Sequence, residues 1–123
     1  MTRTNFTRFN RSLKHAGHGL AHAFTVEQNF RIHVAVGTAV AIVALALHIS
    51  SSELAVLVLV IAQVLMLELV NTVVERFADI LEPRVHPYVH IIKDLMAAAV
   101  VVSVVAAVLI GLVIFWPHIA LWF

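Results

Sequence analysis

Three apolar stretches, each close to twenty residues long, constrain this chain more than anything else in it. The first runs from Ile32 to Ile49, the second from Leu54 to about Val74, and the third from Leu95 to Trp116. A helix needs about 20 such residues to cross a hydrocarbon layer ~30 Å thick. His33 and His48 stand at the two ends of the first stretch, where a span meets the membrane interfaces. The composition agrees: 62% of the 123 residues are hydrophobic and 12% are charged. A soluble domain is nearer about 45–50% apolar and about 25% charged. A core this small leaves much of its surface in water, so the excess apolar surface has no place in a soluble fold. The expectation is an all-α membrane protein in which residues 1–123 form one domain with three transmembrane helices.

The charge pattern orients the spans. Arg3, Arg8, Arg11, Lys14 and Arg31 precede the first, and Arg76, Arg84 and Lys93 lie between the second and third. No Lys or Arg falls in the Ser50–Glu53 turn or after the third span. The positive-inside rule then places the N-terminus and the second loop in the cytoplasm. The short turn and the C-terminus lie outside, with Trp116 and Trp122 at the interface. A secretory signal is not expected, because the first thirty residues are basic and amphipathic rather than apolar. Phe6, Phe9, Leu13, Ala16, Leu20 and Phe24 recur at helical spacing, opposite Arg8, Arg11, Lys14, His15, His18 and His22. This predicts a surface helix from Phe6 to Phe24, reaching at most about residue 30, in the headgroup layer. The net charge of +1 gives no basis for binding nucleic acid, and the absence of cysteine excludes disulfides and thiolate metal sites.

The second span carries the chemistry. Its end reads Glu68-Leu69-Val70-Asn71-Thr72-Val73-Val74-Glu75-Arg76-Phe77-Ala78-Asp79. At about 100° of rotation per residue, Glu68, Asn71, Thr72, Glu75 and Asp79 share a stripe less than about 110° wide. One acidic face therefore climbs from the membrane surface into the bilayer. An Asp at the centre of a span costs roughly 2.5–3.5 kcal/mol, and intramembrane ionisable groups are by default functional. One acid paired with a basic neighbour could serve packing alone; three acids and an amide on one stripe are poorly explained that way.

Carboxylates and an amide oxygen are hard ligands that suit Mg²⁺, which takes one or two carboxylates together with substrate phosphates and water. Arg84 and His86 in the following loop, and Lys93 and Asp94 before the third span, add cations and further acids. Phosphoryl transfer needs those parts. No P-loop and no protein-kinase signature is present. The eight histidines support a rival reading, a haem-binding or other small anchor subunit of a respiratory complex. That reading gives Glu68 and Glu75 no task. On the third span, Ala99, Ser103, Ala107 and Gly111 recur at four-residue spacing, a small-residue ladder that permits close helix approach within or between chains.

The run Glu68-Leu69-Val70-Asn71-Thr72-Val73-Val74-Glu75, then Asp79, His86-Pro87 and Lys93-Asp94, resembles the prokaryotic diacylglycerol kinase family. Glu27-Gln28-Asn29-Phe30-Arg31-Ile32-His33 resembles that family's other motif, and the likeness extends from about Arg8 to Val113. The resemblance implies a homotrimer with shared sites at the cytoplasmic interface, where MgATP phosphorylates a lipid hydroxyl. It implies Glu68 as catalytic base and Glu27 and Glu75 as metal ligands. Asn71, Asp79, Lys93 and Asp94 would belong to the nucleotide site, with Arg8 and the stretch Arg84, Val85 and His86 near ATP. His15 stands where the family often packs an aromatic residue on the nucleotide, and Arg84 where some members carry an acid. Of the family's two branches, one acting on diacylglycerol and one on undecaprenol, Asn29–His33 and His86-Pro87 resemble the undecaprenol branch more closely.

Overall fold

The computed structural model of the chain describes residues 3–81 and 86–120, with the backbone alone for residues 3, 4 and 86. Four helices follow in order: α1 (Arg3–Val26), α2 (Gln28–Ala46), α3 (Ser51–Leu81) and α4 (His86–Ala120). The described secondary structure is entirely helical. Helices α2, α3 and α4 are each long and apolar enough to cross a membrane. The expected architecture, three spans and one amphipathic helix, is the one observed. Both α2 and α4 pack on α3, while α1 touches chiefly α2.

The apolar stripe of α1 has almost no protein partner. Phe6, Phe9, Leu13, Leu20 and Phe24 stay about half exposed or more, and Ala23 is the buried side chain among those described on this helix. Such a stripe requires another apolar phase, which the headgroup boundary of a bilayer supplies.

Helix ends differ from the expected span ends, for physical reasons. Helix α1 stops at Val26, because Glu27 leaves the helical region with φ −93° and ψ 114°. No Gly or Pro marks this break. It is held by Arg31, whose guanidinium donates to the carbonyl oxygens of Phe24 and Thr25 at 3.1 and 2.9 Å, two acceptors left over at a helix end. Helix α3 runs past Val74 to Leu81, and α4 begins at His86, well before Leu95. Polar residues end an apolar run without ending the helix, since backbone hydrogen bonds do not depend on lipid. His86, expected in a loop, is therefore the first residue of α4; Arg84 and Val85 lie outside the described residues, as does Trp122. With 31 and 35 residues, α3 and α4 are about 46 and 52 Å long at 1.5 Å per residue. Both exceed a ~30 Å hydrocarbon layer, and they project at the end where α1 lies.

The opposite end is closed tightly. Helix α2 finishes with Ile49 N–H donating to the Ala44 carbonyl at 3.3 Å and His48 N–H to the Leu45 carbonyl at 3.2 Å. His48 takes φ 52° there, the left-handed position usually given to Gly. Helix α3 opens with a reciprocal cap: Glu53 N–H donates to Ser50 Oγ at 3.3 Å, and Ser50 N–H donates to Glu53 Oε2 at 2.9 Å. His118 Nε2 of α4 lies 3.2 Å from the same Glu53 oxygen. Ala44, Leu57 and Ile114 form an apolar cluster beneath this turn, flanked by Val40, Ile49, Leu54, Ile110 and Phe115.

The small residues of α4 lie on its less exposed side: Ser103 is buried, and Ala99, Ala107 and Gly111 are partly buried. Among the glycines, the close helix approach is elsewhere. A Cβ added at Gly37 of α2 would stand 2.8 Å from Ile61 Cγ2 of α3, whereas one at Gly111 would meet nothing within 4 Å.

Candidate active site

The stripe read from periodicity is the buried face of α3 at its deeper end. Glu68 is 3% exposed, and Asn71 and Thr72 are 9% exposed. Farther along the helix, Glu75 is partly buried and Asp79 is exposed. Buried polar groups need partners, and most here have them. Thr72 Oγ1 donates to the Glu68 backbone carbonyl at 3.0 Å. Asn71 Nδ2 donates to Glu75 Oε1 at 2.9 Å. Asn71 Oδ1 is different: it is buried and accepts no hydrogen bond among the described residues.

The facing wall comes from the first turns of α2. The Glu68 carboxyl is within electrostatic reach of His33, Glu75 and Glu27 and interacts with the side chain of Asn29. Glu27 sits at the kink between α1 and α2 as the N-cap of α2, without a capping bond from its side chain. Its Oε1 is 3.1 Å from Arg76 Nη2 of α3. Toward the helix end, Lys93 Nζ of α4 pairs with Asp79 Oδ1 of α3, and Asp94 follows it, exposed. Three helices thus contribute to one polar cluster: Glu27, Asn29 and His33 from α2 and its cap, Glu68 to Asp79 from α3, and Lys93 from α4.

Two of the expected residues stand apart. Arg8 and His15 are exposed on α1, and among the described residues no hydrogen bond or ion pair joins their side chains to the cluster. Conversely, Asn29, His33 and Arg76 belong to it without having been assigned a role from sequence. Asn29 and His33 were discoverable, being four residues apart on one face at the mouth of a span. Arg76 gave no signal, since it lies about 100° away from Glu75 around the helix.

Could this cluster hold a metal? Among the described residues no three acid or imidazole groups converge as a cage made of protein alone would require. Mg²⁺ does not need one, because substrate phosphates and water complete its shell. The donor types fit that use: the carboxylate of Glu75 with the unsatisfied amide oxygen of Asn71 beside it, and the carboxylate of Glu27, which like Glu75 lies within electrostatic reach of Glu68. Beside the cluster an apolar groove of about 290 Å³ begins at His33 and runs between α2, α3 and α4 past Val36, Val60 and Val104 to Phe115. Polar and apolar compartments therefore meet at His33, which lines the groove and lies within electrostatic reach of Glu68.

A family model described as prokaryotic diacylglycerol kinase matches residues 14–115. The chain belongs to the prokaryotic diacylglycerol kinase family. Membership makes it a membrane enzyme of the lipid-kinase class and leaves the haem-subunit reading without support. Among its relatives, the undecaprenol kinase of Bacillus subtilis is 36% identical over 115 residues, 94% of each chain. The diacylglycerol kinase of Synechocystis sp. is 39% identical over 101 residues, which are 81% of this chain and 58% of that protein. The diacylglycerol kinase of Escherichia coli is 30% identical over 118 residues, 93% of this chain and 96% of the other. The matched region of this diacylglycerol kinase family member includes every expected site residue except Arg8.

Proposed function

We propose that this kinase transfers the γ-phosphoryl group of ATP, with Mg²⁺, to the hydroxyl of undecaprenol at the cytoplasmic face of a bacterial inner membrane. The observation that carries the reading is the burial of Glu68 against Asn29 and His33, at the polar end of an apolar groove. A lipid whose chain lies in that groove brings its hydroxyl to Glu68. Glu68 accepts the hydroxyl proton as the lipid oxygen bonds to the γ-phosphorus and the bond to the bridging oxygen breaks, releasing ADP. Asn71 orients Glu75 through its amide N–H, and Glu27 and Glu75 supply the carboxylates for the metal. A bound divalent ion neutralises charge on the phosphates of the nucleotide. Asp79, Lys93 and Asp94, on the parts of α3 and α4 that extend past the hydrocarbon, face the nucleotide; Arg8, His15, Arg84, Val85 and His86 complete that side.

Undecaprenol is preferred over diacylglycerol because Asn29–His33 and His86-Pro87 resemble the undecaprenol branch, and over nearly the full length the Bacillus relative named for it is 36% identical against 30% for the Escherichia coli diacylglycerol kinase. Residues 1–123 act as a single domain, and three copies form the working unit, since three spans are too few to enclose nucleotide, metal and lipid. The N-terminus is cytoplasmic and the C-terminus is outside, following the eight-to-none division of Lys and Arg.

The test is transfer of labelled γ-phosphate by the purified protein in mixed micelles, with undecaprenol and diacylglycerol side by side and with Mg²⁺ present or chelated. Undecaprenyl phosphate should form faster, and only with the metal. Faster labelling of diacylglycerol reverses the substrate assignment; labelling of neither lipid removes the proposal.

A further inference from the structure

Arg76 has no part in the chemistry above, yet its guanidinium stands 3.1 Å from Glu27, an acid that chemistry uses to hold the metal. Its position is supported from both sides. Arg76 lines the apolar groove between α1 and α3 with Ala16, Leu20, Ala23 and Phe77, and its side chain, 57% exposed, carries the charge to the rim beside Glu27. Glu27 is fixed at the α1–α2 kink and makes no capping bond, which leaves its carboxylate to Arg76. Glu27 and Glu75 each lie within electrostatic reach of Glu68. Carboxylates that feel one another repel unless a cation stands nearby, and among the described residues Arg76 is the cation paired with Glu27.

We infer that Arg76 competes with the metal for Glu27: it pairs with the carboxylate in the metal-free enzyme and must release it when the ion binds. The residue thereby sets the metal concentration at which the site fills. The inference rests on Glu27 being a metal ligand, as proposed above. Competition also explains why the pair is half in water. The side chains of Arg76 and Glu27 are 57% and 22% exposed, and an exposed ion pair is weak enough to be displaced by a divalent cation. A buried pair would not let go, because separating it strands a charge.

The test is Mn²⁺ binding to the intact purified protein in micelles, with a non-hydrolysable ATP analogue, read from the electron paramagnetic resonance signal of free Mn²⁺. No turnover enters the readout. Arg76→Gln should bind Mn²⁺ about three- to tenfold more tightly than wild type, the scale set by losing a weak exposed pair and one nearby positive charge. Arg76→Lys, which keeps the charge and stem but not the planar fork, should fall between the two and decides the matter if Arg76→Gln does not fold. Glu27→Gln should bind more weakly, and adding Arg76→Gln to it should restore no more than a fraction of the gain seen in wild type. Unchanged or weaker Mn²⁺ binding in both Arg76 variants, with Glu27→Gln weakened, overturns the competition while leaving Glu27 a ligand. If Glu27→Gln binds as tightly as wild type, Glu27 is no ligand and the inference falls with that assignment.

Discussion

Glu68 and Glu75 share one face of α3 but meet different surroundings. Glu68 is 3% exposed, whereas Glu75 lies about 10 Å farther along the helix at 1.5 Å per residue and takes a hydrogen bond from Asn71. The deeper acid suits a hydroxyl at the headgroup boundary, and the shallower one suits a metal held against phosphates. Glu68→Gln is accordingly expected to abolish transfer while MgATP binding survives nearly intact; Glu75→Gln and Glu27→Gln should weaken metal-dependent nucleotide binding. Calorimetric titration of MgATP into the three variants decides, and the opposite pattern would mean that the two roles are reversed. Asn71→Asp puts a carboxylate where an amide N–H now supports Glu75. Loss of a hydrogen bond to a charged group is worth about 1.5–3 kcal/mol, or about ten- to hundredfold in rate. That drop should appear in kcat measured across Mg²⁺ concentrations; an unchanged kcat would show that the bond does not matter to Glu75. The stripe from Glu68 to Asp79 was legible in the sequence because helical rotation alone places it. The shared face of Asn29 and His33 was legible as spacing, but that it meets Glu68, and that Arg76 reaches Glu27, depends on how α2 is rotated against α3, which no periodicity within one helix fixes.

At the scale of the helix, apolar length revealed spans but not helix ends. Hydropathy ends where lipid ends, whereas a helix ends where its last carbonyls find other donors, as Phe24 and Thr25 do with Arg31. The turn between α2 and α3 has both kinds of cap. His48 at φ 52° is strained relative to Gly, which enters that region without steric penalty. His48→Gly should raise the stability of the folded protein by about 1 kcal/mol, and Ser50→Ala should lower it by about 1 kcal/mol through loss of the cap. Thermal unfolding of the two variants in the same detergent checks both signs. A destabilised His48→Gly would mean that the imidazole contributes more than its backbone costs.

Considered whole, the molecule is apolar outside and polar at one inner end. Many of its large hydrophobic side chains, Leu59, Met66, Val102 and Val113 among them, are more than half exposed, as a lipid environment permits. The same exposure leaves room for other copies. Crosslinking in native membranes should give a ladder that ends at the trimer, and full activity in a demonstrated monomer would refute shared sites. A reporter fused after the C-terminus should behave as extracytoplasmic; a cytoplasmic signal would mean that the number of crossings is not three. The turn of residues 47–50 has a further consequence, for biogenesis. Ser50 and Glu53 cap the start of α3, and the N–H groups of His48 and Ile49 cap the end of α2, so the turn is closed by bonds among neighbouring residues. Residues 27–81 therefore carry, in local bonds, the instructions for an α2–α3 hairpin, and a chain cut after Leu81 is expected to insert both helices as a pair, which protease protection of the truncated chain in membranes would check.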